Sequence, residues 1–175
     1  MEMVKKMDAG DMFAKCEVSI DNSDTGDTLF KKMETAASKL LLEMLPDYIE
    51  GKLKGIPQDE NEVTFAPSIK REEEMINWSD NKRNIYNKIR AFNSVPGAYT
   101  ILDNVAIKIW GSEEIDKIYD GQCGEIVDVL KDKIIVKVND GAIAIKELQV
   151  AGKKKMLVKD YLNGNKNLKG KMFHE

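Results

Sequence analysis

The chain has 175 residues, 42% of them hydrophobic, and a net charge of −3. That length holds one domain or one and a half. The sequence contains no run of about 18 apolar residues able to span a membrane. Its first residues, Met1 to Lys6, lack the apolar core of a signal segment. The only histidine is His174, and the two cysteines, Cys16 and Cys123, stand far apart. This composition argues against a Ser-His-Asp triad, a histidine metal site or an internal histidine base, and it points to a reduced, cytoplasmic protein with no metal. The charge is uneven. Residues 1–80 carry 10 Lys+Arg against 18 Asp+Glu, a balance of −8, and residues 81–175 carry 17 against 12, a balance of +5. Two units with different partners are expected, the second with a basic excess that permits nucleic-acid binding.

In chain order, residues 11–20 read as a strand. Asp21 to Asp27 are turn residues, one of which should cap the following helix through a hydroxyl or carboxylate. That helix carries Leu29, Met33, Ala36, Ala37, Leu40, Leu41, Met44 and Leu45 at helical spacing. Pro46 is a kink site, and Gly51 is the expected stop. One strand and one helix cannot bury a core alone. The opening segment is therefore expected to be the edge of a larger α/β domain, or to pack on another unit or chain. Residues 51–80, with Pro57, Pro67 and many carboxylates, read as an extended linker.

A short helix near 81–92 should bury Ile85, Ile89 and Phe92 on one face. Strands follow at Ala98–Leu102, Val105–Trp110, Glu125–Leu130, around Ile134–Val138, at Ala142–Ile145 and at Leu148–Val150. The turns between them fall at Asp103-Asn104, Lys131-Asp132 and Asn139-Asp140-Gly141. Five or six short alternating strands suit a closed barrel better than an open sheet. A last helix or turn near Val158–Leu162 is positioned to plug one end. Lys137 and Lys146 should point outward, because Val136, Val138 and Ile145 point inward. Lys108, Lys133, Lys153, Lys154, Lys155 and Lys159 complete a lysine-bearing face, which is either an RNA-binding surface or simply solvated. Trp78 and Trp110 read as packing residues, and Arg90 as a residue that holds the linker by an ion pair.

Several motifs carry a family resemblance. They are Met7-Asp8-Ala9-Gly10-Asp11-Met12, Thr25-Gly26-Asp27-Thr28-Leu29, Pro57-Gln58-Asp59-Glu60, Thr64-Phe65-Ala66-Pro67, Ile76-Asn77-Trp78-Ser79, Ile89-Arg90-Ala91-Phe92-Asn93, Gly124-Glu125-Ile126, Asp140-Gly141 and Leu148 to Met156. In order and spacing this set resembles the C-terminal portion of methionyl-tRNA formyltransferase. Phe65, Ser68, Ser94 and Val95 depart from the pattern. Arg90-Ala91, where related sugar-amine enzymes read Arg-Gly, favours the tRNA enzyme.

The resemblance implies an α+β fold with three parts. Residues 1–56 would be a truncated strand-helix remnant of a Rossmann-like catalytic domain, 57–80 a linker, and 81–175 an OB-like closed β-barrel that binds tRNA. It also implies that Asp8 is the catalytic aspartate. In the family this residue works with an asparagine and a histidine that polarise the formyl carbonyl and hold the developing oxyanion. Gly10 would let the chain turn tightly against the cofactor. The whole enzyme would move a formyl group from 10-formyltetrahydrofolate to methionyl-initiator tRNA. This chain alone is expected to bind tRNA through Lys108, Lys137, Lys146, Lys153, Lys154 and Lys155. It is expected to hold no cofactor, to be monomeric and to form no formyl product, with the N-terminal catalytic half as a further partner. A fragment of a sugar-amine formyltransferase and a stand-alone OB-type nucleic-acid module remain the alternatives.

Overall fold

The first helix begins at a reciprocal cap. Thr25 Oγ1 accepts the Thr28 N–H at 3.3 Å, and Thr28 Oγ1 accepts the Thr25 N–H at 2.9 Å. The hydroxyl expected from the turn segment is thus Thr25, and it starts α1, Gly26–Ile49. Asp24 reinforces the cap. Its carboxylate accepts the Thr28 hydroxyl at 3.0 Å, the Asp21 N–H at 2.7 Å and Lys32 Nζ at 2.7 Å. Pro46 lies within the helix and does not end it. The end comes at Gly51, in a left-handed conformation at φ 69°. There the Gly51 N–H reaches the Tyr48 carbonyl at 3.1 Å and the Lys52 N–H reaches that of Asp47 at 2.9 Å, the paired bonds that close a Schellman turn.

These features belong to a computed structural model that describes residues 1–174 in two compact units, Met1–Ser68 and Ile69–Glu175. In the first unit no residue of α1 is buried. Cys16, Val18 and Ile20 line an open apolar groove with Leu29, Met33 and Ala37 of the helix, and the Phe13 and Tyr48 rings meet edge to face with centroids 4.9 Å apart. The strand expected at residues 11–20 is reduced to one bridge. Met12 and Ile56 exchange both backbone bonds at 2.9 Å, and residues 13–20 belong to no strand. A ladder needs a neighbouring backbone of matching length, and this unit offers only the short segment around Ile56.

The second unit starts with residues read from sequence as linker. Ile76 and Trp78 are fully buried in its core. Asn81 caps α2, Lys82–Ala91, by accepting the Asn84 N–H at 2.8 Å. Ile85 and Ile89 go into the core and Phe92 packs at its edge. The strands are β1 Tyr99–Leu102, β2 Val105–Ile115, β3 Ile126–Val129, β4 Ile134–Val138, β5 Gly141–Val150 and β6 Met156–Leu157. They form one antiparallel sheet in the order β1-β2-β5-β4-β3, with β6 added to β5. The Asp103-Asn104 turn uses positive φ at both residues, 50° and 63°, as a two-residue hairpin requires. Helix α3, Val158–Tyr161, buries its two terminal residues in the core.

The sequence split β5 in two, and the register explains the split. Trp110 is an extra residue on β2, between the pairs Ile109↔Leu148 and Gly111↔Glu147. Lys146 is an extra residue on β5, between Gly111↔Glu147 and Ser112↔Ile145. The Lys146 bulge lets Ile145 and Leu148, three apart, both reach the core. A strict period of two reads that interruption as a loop. The far side of β4 and β5 is also apolar in part: Val127, Ile135, Ala142 and Ala144 form a second buried cluster with Ile115 and Tyr119 against it.

The C-terminal tail bonds to the two outer strand regions of the sheet. On the β1 side, the Ile101 N–H donates to the His174 carbonyl at 3.1 Å and the His174 N–H returns to Ile101 at 2.9 Å. On the β3 side, Phe173 donates to the Gly124 carbonyl at 2.9 Å, Ile126 to Lys171 at 2.8 Å and Gly170 to Ile126 at 2.8 Å. Gly124, at φ 89°, permits the approach: an added Cβ would stand 2.7 Å from the Phe173 oxygen. Beneath the tail, Phe173 stacks on Trp78 with centroids 5.5 Å apart. Trp78 Nε1 donates to Thr100 Oγ1 at 2.9 Å, and that hydroxyl donates to the His174 carbonyl at 2.9 Å.

Two outcomes follow from this architecture. Thr100→Val should destabilise the Ile69–Glu175 unit by about 1–3 kcal/mol, because it strands a buried indole N–H. Thr100→Ser should stay close to wild type. Urea unfolding followed by tryptophan emission measures both, and equal midpoints for the two variants would show that the hydroxyl chain adds nothing. The second outcome concerns Asp24, whose carboxyl is lowered from 3.8 to about 2, first by the Lys32 hydrogen bond and then by the Asp21 N–H. A lowered carboxyl stabilises the folded form above its unfolded value and loses that contribution as pH falls through the folded value. The cap should therefore weaken between about pH 4 and pH 2. Carboxyl carbon NMR of Asp24 should titrate near 2, and a midpoint near 3.8 would remove the Lys32 contact from solution.

Candidate nucleic-acid interface

The β2 bulge sets the geometry of the basic face. Lys108 and Trp110, two apart on β2, lie on the side opposite the buried Ile107 and Ile109. Lys108 Nζ donates to the Pro96 carbonyl at 2.6 Å. Trp110 Nε1 donates to Gln149 Oε1 at 3.2 Å, and Gln149 Nε2 donates to the Lys153 carbonyl at 2.8 Å. One glutamine therefore ties the indole to the turn that carries Lys153, Lys154 and Lys155, all exposed. Lys155 Nζ reaches Glu147 at 3.0 Å and lies 5.4 Å from the Trp110 ring centroid, with Lys108 Nζ 5.7 Å from the same centroid.

The fold thus brings the Lys108 and Lys155 ammonium groups to one indole, with Lys153 and Lys154 exposed on the adjoining turn, and gives the other two expected contacts different partners. Lys146 is exposed on its own bulge and reaches Glu113 at 3.3 Å. Glu113 also accepts Lys133, the main reason its carboxyl lies below the usual range, and the same bond raises the Lys133 ammonium. Lys137 is half-buried and donates to the Val138 carbonyl at 2.5 Å. Its register partner on β5 is Ala142, a member of the second apolar cluster, so its outward side is partly covered. Lys159 is exposed on α3. Arg90 donates through Nε to Asn87 at 2.9 Å, within its own helix. Sequence reasoning missed Trp110 and Gln149 as parts of the surface. The signal was the two-residue spacing of Lys108 and Trp110, which places both on one face.

Asp8 sits in an exposed loop of the first unit, with φ 53°. Gln58 Nε2 donates to the Asp8 carbonyl at 2.9 Å and to that of Gly10 at 2.7 Å, which fixes the loop from outside. Gly10 is needed for close packing, since an added Cβ would stand 2.0 Å from the Glu2 carbonyl oxygen. The only histidine of the sequence, His174, lies in the other unit, paired with Ile101.

The family described as formyl transferase, C-terminal domain, matches residues 68–166. The chain belongs to the formyltransferases through that domain. It is 43% identical to methionyl-tRNA formyltransferase of Bacillus licheniformis over 165 residues, which is 94% of this chain and 52% of the relative. It is 41% identical to the enzyme of the same name from Staphylococcus aureus over 168 residues, 95% of this chain and 54% of the relative. The chain therefore spans about half the length of these relatives, and its match is to their C-terminal portion. Among solved structures, HypX from Aquifex aeolicus in complex with tetrahydrofolic acid aligns with a TM-score of 0.73 at 20% identity, over 95% of this chain and 30% of that one. An N-formyltransferase from Helicobacter canadensis aligns at 0.62 and 16% identity, over 88% and 53%. These likenesses establish a shared fold.

Proposed function

We propose that this chain supplies the tRNA-binding part of a methionyl-tRNA formyltransferase. The whole enzyme would transfer a formyl group from 10-formyltetrahydrofolate to methionyl-initiator tRNA in the cytoplasm. The supporting observation is that the Lys108 and Lys155 ammonium groups lie beside one indole of a formyltransferase C-terminal domain, next to the exposed turn of Lys153 and Lys154. Lysines recognise phosphates by charge and fix the orientation of a folded RNA without reading its bases. We read the curled sheet and its C-terminal tail as an OB-like barrel. Residues 1–56 we read as the remnant edge of a Rossmann-like catalytic domain, whose N-terminal half would cover the exposed Phe30, Leu42 and Ile49.

Asp8 is proposed as the catalytic aspartate of the complete enzyme. A carboxylate needs oxyanion donors to act on a formyl carbonyl, and the sequence places no histidine in the unit that holds Asp8. This chain alone, as a monomer, would bind tRNA and form no formyl product. A fragment of a sugar-amine formyltransferase is the second reading, favoured by the fold likeness to the Helicobacter canadensis enzyme at 16% identity. The identity of 43% to methionyl-tRNA enzymes weighs against it.

Two measurements test the proposal. Replacing Lys153, Lys154 and Lys155 with alanine should weaken tRNA binding and lower the slope of log affinity against log salt by about 2–3; an unchanged affinity and slope would exclude the three from the interface. The purified chain, given 10-formyltetrahydrofolate and charged initiator tRNA, should yield no formyl-methionyl-tRNA, and detectable product would overturn the division of labour.

A further inference from the structure

The chain has two tryptophans, and the fold uses them differently. Trp78 is buried, stacked on Phe173 and hydrogen-bonded to Thr100. Trp110 is half-exposed on the outer side of β2, at a bulge residue without a ladder partner. A bulge re-aims the side chain it carries. The indole is held at two places, Nε1 by Gln149 and the outer edge of its six-membered ring by Gly97, whose added Cβ would stand 2.5 Å from Cη2, and Asn93 Nδ2 donates to the Trp110 backbone carbonyl at 2.7 Å. A ring fixed in this way loses little freedom on binding.

We propose that Trp110 is a stacking platform for an unpaired base of bound RNA, with the Lys108 and Lys155 ammonium groups taking the phosphates beside that base. This rests on the tRNA-binding reading above and goes beyond it, because it gives the half-buried indole beside the two ammonium groups a base to receive. Every base has a π face, so an indole accepts any unpaired nucleotide. The two ammonium nitrogens, 5.7 and 5.4 Å from the ring centroid, lie within cation–π range in the free protein. Each ammonium has three donors. Lys108 uses one on the Pro96 carbonyl and Lys155 one on Glu147, and both have donors left for phosphate. Their flexible stems let them exchange the ring for phosphate oxygens as a base slides onto the indole.

The experiment uses the full chain, folded tRNA and a single-stranded oligonucleotide. Because the chain has two tryptophans, RNA should quench the wild-type emission, and this quench should vanish in Trp110→Phe, where only the buried Trp78 emits. Trp110→Ala should bind tRNA about tenfold more weakly with an unchanged salt slope, whereas the lysine variants change the slope. Trp110→Phe, which keeps an aromatic face, should bind close to wild type and serves as the folded control. If wild type binds tRNA but shows no quench specific to Trp110, or if Trp110→Ala binds as tightly as wild type, the platform is refuted while the lysine interface stands. If wild type binds no RNA at all, the tRNA-binding reading falls and the platform falls with it.

Discussion

The second unit depends on its C-terminal tail. Six strands ordered β1-β2-β5-β4-β3 with β6 at the side leave β1 and β3 at opposite ends of the sheet, each with backbone groups that must be satisfied. Residues 170–174 bond to both. The tail is anchored by what lies under it: Phe173 against Trp78, and a hydroxyl relay from the Trp78 indole through Thr100 to the His174 carbonyl. A core of Ile109, Ile126, Ile134, Ile143 and Ile145 fills the curve of the sheet. Directional bonds at its margin then fix where the chain must end up.

The same architecture sorts the lysines. Antiparallel pairing places alternate residues on opposite faces, and two offset bulges change which residues those are. At the Trp110 bulge, the indole, Gln149 and the Lys153–Lys155 turn become neighbours. At the Lys146 bulge, the lysine projects toward Glu113, where Lys133 already competes for the same carboxylate. A lysine paired with a carboxylate contributes less to an anion-binding field than one without such a partner, and this holds for Lys155 beside Glu147 as for Lys146 beside Glu113. What distinguishes Lys155 is the indole it shares with Lys108.

The first unit presents the opposite situation. Its helix is well made, with a reciprocal cap at Thr25 and a Schellman turn at Gly51, yet it buries none of its residues. Phe30, Leu42 and Ile49 are each more than two-thirds exposed. Local bonding is enough to define where this helix starts and stops. Packing usually supplies most of a helix's stability, and here the packing surface is largely unused.

The sequence alone determined the long first helix and the short second one, with a cap among Asp21 to Asp27 and Gly51 as stop for the first, because capping is a local interaction. It also determined the hairpin turns and most of the strands, because their alternation of apolar and polar residues is local too. The family was legible in an ordered series of short motifs. What tertiary structure decided was everything that depends on contacts between distant residues. Residues 11–20 form no strand because a ladder requires a partner that this unit lacks. Residues 76 and 78, read as linker, are core because the tail and β1 close over them. The segments Ala142–Ile145 and Leu148–Val150 are one strand, because a bulge against β2 absorbs the extra residue that broke the period. Trp110 stands beside Lys108 and Lys155, and Lys146 meets Glu113 instead, because face and neighbour are set by register, and register exists only once two strands have paired.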